Sequence, residues 1–154
     1  MSDPFIRTQT ALKDCEQHLQ DTGAGGSPIE AYLTEYLLIL MCADMQEGIY
    51  KVIEEWADKS ASPSLREFVA TSSRRVLRSV KKGEIAGFVG MFGSTHKDRF
   101  GSALDDREVT LYNNAVESRH DVAHRTGATV TFSEMKDALA AARNILAAVE
   151  SALS

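Results

Sequence analysis

With 154 residues, 44% of them hydrophobic and 25% charged, the chain is long enough for one domain with a real core and has an ordinary soluble composition. Its net charge of -5 argues against wholesale coating of nucleic acid but leaves room for a local basic patch on a phosphate chain. No run approaches the roughly 18 apolar residues of a membrane span, the start Met-Ser-Asp-Pro is not a basic-then-apolar leader, and Cys15 and Cys42 lack metal-ligand spacing. A cytoplasmic protein with two reduced thiols and no membrane contact is the expectation.

Taken in order, the chain reads as helices throughout. A first helix is expected from about Pro4 to Gln20, with Ser2-Asp3-Pro4 supplying a cap and a first-turn proline. The glycine-rich stretch Thr22 to Ser27 then reverses direction. The second helix carries Ile29, Tyr32, Leu33, Tyr36, Leu37, Leu40, Met41, Met45, Ile49, Val52, Ile53 and Trp56 on one face for about seven turns, and is expected to be the central core helix. Asp44 and Gly48 interrupt that stripe. Asp44 is either the partner of a cation on a neighbouring helix, Arg119 among the candidates, or a partly solvated flank residue.

Ser60 to Ser64 breaks the chain and caps a third helix, expected from about Pro63 to Val80, with Leu65, Phe68, Val69, Val76, Leu77 and Val80 facing in. Its second half is basic: Arg74, Arg75, Arg78, Lys81 and Lys82 fall within nine residues, and Arg74, Arg78 and Lys81 or Lys82 share a side. Such a stripe either tracks a phosphate backbone or is a solvated face paired with the acidic helix before it. Gly83 to Phe92 reads as a short helix, and Gly93 to Ala103 as a polar loop with His96 at the surface. Another helix starts near Asp105 or Asp106, acids suited to a helix N-terminus. Thr126 to Phe132 reads as a loop or edge hairpin. Ser133 is the expected cap of a last helix whose inward series is Met135, Leu139, Ala142, Leu146, Val149 and Leu153, with alanines that allow close packing on a helix of this chain or of a second copy.

The penultimate helix ends in Glu117-Ser118-Arg119-His120-Asp121-Val122-Ala123-His124-Arg125. Its inward positions Val109, Tyr112 and Val116 lead into Arg119 with His120, and then Ala123 with His124, so the stripe turns from apolar to cationic. A buried unpaired charge costs several kcal/mol or more, so the cluster needs either a carboxylate or a ligand. Three uses fit. His120 and His124, four apart, have the spacing that begins a zinc site, although no third ligand is visible nearby. Arg119 paired to Asp44 or Glu117, with the histidines at a helix C-terminus, would be structural. The third use is metal-independent cleavage of RNA, which supplies its own 2′-OH nucleophile. Histidine can then move the protons near neutral pH, and arginine can hold the phosphoryl oxygens. Arg119 and His124 are about 140° apart on an ideal helix, so they converge on one phosphate if the helix frays by His124 or if a second subunit brings its own pair across the groove.

Arg119-His120-Asp121-Val122-Ala123-His124 resembles the Arg-x4-6-His motif of HEPN domains, with a polar residue after the Arg and Ala123 before the His. The resemblance extends through the final helix and, more loosely, over residues 1–154, and is closest to the stand-alone RiboL-PSP type. It implies an all-α, up-and-down bundle of about five to six helices, forming a homodimer with two Arg-His pairs facing each other in one composite cleft. It further implies an endoribonuclease that cuts single-stranded RNA without metal or cofactor and leaves a 2′,3′-cyclic phosphate, as a toxin or antiviral defence effector under an antitoxin or other regulatory protein. The other implied role is a non-catalytic HEPN module that binds RNA or a protein partner. By this likeness His124 is the general base or acid, Arg119 binds the scissile phosphate and His120 supports them, while Arg125, Arg74, Arg78 and Asp121 are expected to contact substrate. Arg125 stands where a glycine is common. Thr126 replaces the Tyr of HEPN toxins paired with nucleotidyltransferase antitoxins, which argues against that partner.

Overall fold

The computed structural model describes residues 2–60, 62–123 and 130–154, with side chains for all of these except 60 and 120–123. Among them are seven helices and no strand: α1 (Ile6–Thr22), α2 (Pro28–Ser60), α3 (Pro63–Val76), α4 (Lys82–Gly90), α5 (Ser94–Ser102), α6 (Asp106–Ala123) and α7 (Phe132–Leu153). The all-helical bundle is the expected class, with more helices than the five to six foreseen. No described helix is long and apolar enough to cross a membrane.

The 33-residue α2, about 50 Å long at 1.5 Å per residue, stands in the middle and meets α1, α3, α6 and α7. Leu37, Met41, Met45, Ile49 and Ile53 are fully buried along it, as its periodicity predicts. Gly48 lets α7 come close, because a Cβ there would lie 2.6 Å from Leu146 Cδ2. The inward series foreseen for α7 is buried throughout, and Ala138, Ala141, Ala148 and Ala152 are buried beside it against helices of the same chain.

Four expectations fail for identifiable reasons. Ile29, Tyr32 and Tyr36, placed on the core face of α2, are exposed, Tyr32 by 67%, because the described bundle does not cover that end of the helix. Leu65, Phe68 and Val76 of α3 are likewise exposed. Arg66–Asp58 and Arg74–Glu54 ion pairs set α3 on α2 through its other side, burying Ser73 and part of Val69. The polar loop from Gly93 is helix α5: it buries one large side chain, Phe100, so it has no apolar stripe to read. His96 Nδ1 donates to the Ala152 carbonyl at 2.7 Å and ties α5 to the end of α7. The cap of α7 is Thr131 rather than Ser133. Its hydroxyl accepts from Glu134 N, and the Glu134 carboxylate accepts from Thr131 N, a reciprocal box that satisfies two otherwise orphaned donors.

Asp44 does meet a cation from a neighbouring helix, but that cation is Arg7 of α1, not Arg119. The carboxylate accepts from Arg7 Nε at 2.9 Å and from Thr8 N and Oγ1 at 3.0 and 2.6 Å, and is itself buried. It is therefore the polar anchor of α1 on α2.

Candidate nucleic-acid interface

The basic stripe does not continue as helix. α3 ends at Val76, and Leu77–Lys81 forms a non-helical strap whose backbone is held by side chains from elsewhere. Gln46 Nε2 and Tyr50 Oη donate to the Leu77 carbonyl at 3.2 and 3.3 Å, and Tyr112 Oη donates to the Val80 carbonyl. At the start of α4, Lys82 N donates to Asn113 Oδ1 at 3.1 Å. These bonds replace the helical ones that residues 77–80 would otherwise make. Leu77 and Val80 are buried as expected, while Arg78 and Lys81 are left at the surface.

The strap forms one wall of a groove of about 460 Å3 whose other walls are α2, the first turn of α4 and the end of α6. Arg78, Lys81 and Arg119 line it together, over Ile39, Cys42 and Val116. Arg119 is exposed and makes no ion pair among the described residues. Both carboxylates considered as its partners are engaged elsewhere, Asp44 by Arg7 and Glu117 by Lys81 at 3.8 Å. Arg78 donates from Nε to the Arg75 carbonyl at 3.3 Å and has no carboxylate partner among the described residues. Arg74 does not line the groove. It pairs with Glu54 at 3.2 Å and Glu47 at 3.5 Å and lies 4.5 Å over the Tyr50 ring. For Arg74 the solvated, ion-paired alternative describes the contacts. His124 and Arg125 lie outside the described residues, as do the side chains of His120 and Asp121.

A model of the RiboL-PSP-HEPN family matches residues 5–154. The chain belongs to this family. No curated protein and no solved structure matches it. The HEPN family includes ribonuclease-like modules, and Arg119, on the last turns of α6, lines the groove.

Two features of this HEPN chain were not foreseen. Buried Ser118 accepts from Val130 N at 3.3 Å, joining α6 to the approach to α7 and so bracketing the segment that carries His124 and Arg125. Cys42 forms part of the groove floor. Burial pushes its thiol up to about 11, and the nearby Arg119 guanidinium pulls the other way without cancelling that effect. The sign follows: the fold favours the neutral thiol, so its contribution is complete below the unfolded value near 9 and is lost between about pH 9 and 11. The guanidinium-denaturation midpoint should fall over that interval in the wild type and fall less in Cys42→Ala. Among the described residues no three His, Cys, Asp or Glu side chains gather as metal ligands, and the side chains of His120 and His124 are not among those described.

Proposed function

We propose that this HEPN protein is a metal-independent endoribonuclease acting on single-stranded RNA in the cytoplasm, as a toxin or antiviral effector under a regulatory partner. The observation that carries this reading is the convergence of Arg119, Arg78 and Lys81 in one groove, with the motif arginine unpaired among the described residues. Arg119 and Arg78, which line an open groove with no carboxylate partner among the described residues, suit a polyanion, and a negative chain can still bind one through such a local patch.

In this reading Arg119 holds the scissile phosphate and stabilises the charge that grows on its oxygens. His124 takes the 2′-OH proton as the oxygen attacks phosphorus, and the P–O5′ bond breaks to leave a 2′,3′-cyclic phosphate and a protonated 5′-OH. The proton for the leaving oxygen comes from a second histidine, either His120 or the partner copy's motif. Arg78 and Lys81 engage further RNA oxygens, with Lys81 exchanging its long contact to Glu117 for one of them.

A homodimer supports the same chemistry. Exposed Ile29, Tyr32, Tyr36 and Ile39 follow one another at three-four-three spacing, a helix-pairing seam, and Ile39 is also part of the groove wall. A second copy seated on this seam would meet the groove directly.

The test is cleavage of single-stranded RNA in EDTA. Wild type should give cyclic-phosphate and 5′-OH ends, while His124→Ala should give none and retain its circular dichroism spectrum. Binding of RNA without cleavage by the wild type would make the chain a non-catalytic module. Activity abolished by EDTA and restored by zinc would return the two histidines to a metal site.

A further inference from the structure

The groove holds acceptors as well as cations. Glu84, in the first turn of α4, lines it together with Gln46 of α2, between apolar walls from Ile39, Ala43, Val80 and Val116. Glu84 shares the space with three cations, yet makes no ion pair within 4 Å among the described residues. The amide nitrogen of Gln46 is committed to Tyr50 Oη at 2.8 Å and to the Leu77 carbonyl at 3.2 Å. That fixes the amide's rotation and leaves its carbonyl oxygen as the end available to the groove. An ionised carboxylate is an acceptor only, so Glu84 and Gln46 both present acceptors.

A groove of about 460 Å3 lined by both polar and apolar side chains is of the size that takes a small ligand. Single-stranded RNA offers such a ligand in each unpaired base, read along its Watson–Crick edge. Guanine alone sets two N–H donors side by side there, N1–H and N2–H2, matching the two oxygens of one carboxylate, with O6 next to them for a cation. Adenine and cytosine place a ring acceptor beside their amino group, and uracil flanks its single N–H with two carbonyls. Each of these would set a lone pair against the carboxylate.

We propose that the groove is a guanine-reading subsite, in which Glu84 accepts from N1–H and N2–H2, Gln46 Oε1 supports that edge, and Arg78 or Lys81 takes O6. This rests on the reading of the groove as an RNA cleft and adds to it a base preference. The apolar side chains of the lining, Ile39, Ala43, Val80 and Val116, offer contact to the ring, and the nucleotide's own phosphate lies toward Arg119.

The experiment is calorimetric binding of guanosine, adenosine, cytidine and uridine 3′-monophosphates to the full chain and to Glu84→Gln, with cleavage-site mapping on a mixed-sequence RNA alongside. Wild type should prefer the guanine nucleotide by about tenfold, as one good bidentate contact allows. In Glu84→Gln that ratio should collapse toward one, because an amide turns one acceptor into a donor facing a donor. A merely structural role for Glu84 would change all four affinities together and leave the ratio in place, which would overturn the proposal. Equal binding of the four nucleotides by the wild type would also overturn it. Guanine-selective binding without RNA cleavage would sustain the subsite and sink the nuclease reading. Cleavage without base preference would do the reverse.

Discussion

Arg119→Ala is expected to slow RNA cleavage by about a hundred- to a thousand-fold, the range seen when one preorganised donor to a developing oxyanion is removed. The side chain is exposed and has no ion-pair partner among the described residues, so its removal strands no buried group. Stability should therefore move by no more than about 0.5 kcal/mol, as for surface substitutions in general. Arg119→Lys is the sharper companion. It keeps the charge but loses the planar fork, and should recover only part of the rate. Single-turnover cleavage of one defined RNA, with thermal melts of each variant, separates the two effects. A rate within threefold of wild type for Arg119→Ala would remove this residue from the chemistry.

Asp44→Ala is expected to cost about 3 kcal/mol of folding stability. The carboxylate is buried and serves three donors on α1, and these do not suffer equally when it goes. The Arg7 side chain is 56% exposed and can turn to water, so the charge itself is not trapped. Thr8 is fully buried, and both its N–H and its hydroxyl would lose their acceptor at roughly 1–3 kcal/mol per stranded group. Asp44→Asn keeps one acceptor oxygen for Thr8 and should fall between alanine and wild type. Urea denaturation of the three proteins measures this order directly. A loss below about 1 kcal/mol for Asp44→Ala would mean that α1 is held by Phe5, Leu12, Cys15 and Leu19 alone.

Much of the fold was legible because α7 buries its whole stripe and α2 most of its own, from Leu37 to Ile53. α2 and α7 put apolar residues at threes and fours, a signal that survives the interruptions at Asp44 and Gly48. α5 was illegible for the opposite reason, since Phe100 alone leaves no period. The box at Thr131 and Glu134 stands in the sequence as Thr-x-x-Glu, but Ser133, two residues later, offers a competing cap of the same chemistry. The exposure of Tyr32 and Phe68 could not be read from periodicity, which marks an apolar face without saying whether anything covers it.

The candidate site was legible where it is local and hidden where it is not. Arg119 stands out in a compact motif. Glu84 and Gln46 carry no local signal, because they share a groove only once α2, α4 and α6 have assembled. The strap could not be foreseen either. Arg78 and Lys81 look like members of one helical stripe with Arg74, and only the hydrogen bonds from Tyr50, Gln46 and Tyr112 show why the helix stops before them.

Those same bonds bear on how this protein can change over generations. They grip the main chain of the strap, at the carbonyls of Leu77 and Val80, and take nothing from the side chains of Arg78 or Lys81, while Ser79 Oγ accepts from Lys81 N at 3.3 Å. The conformation thus depends on residues of α2 and α6, while the groove's chemistry is set by neighbours free to be exchanged. New preferences can accumulate at positions 78 and 81 with little penalty to folding, whereas drift at Tyr50 or Tyr112 would disturb every variant alike.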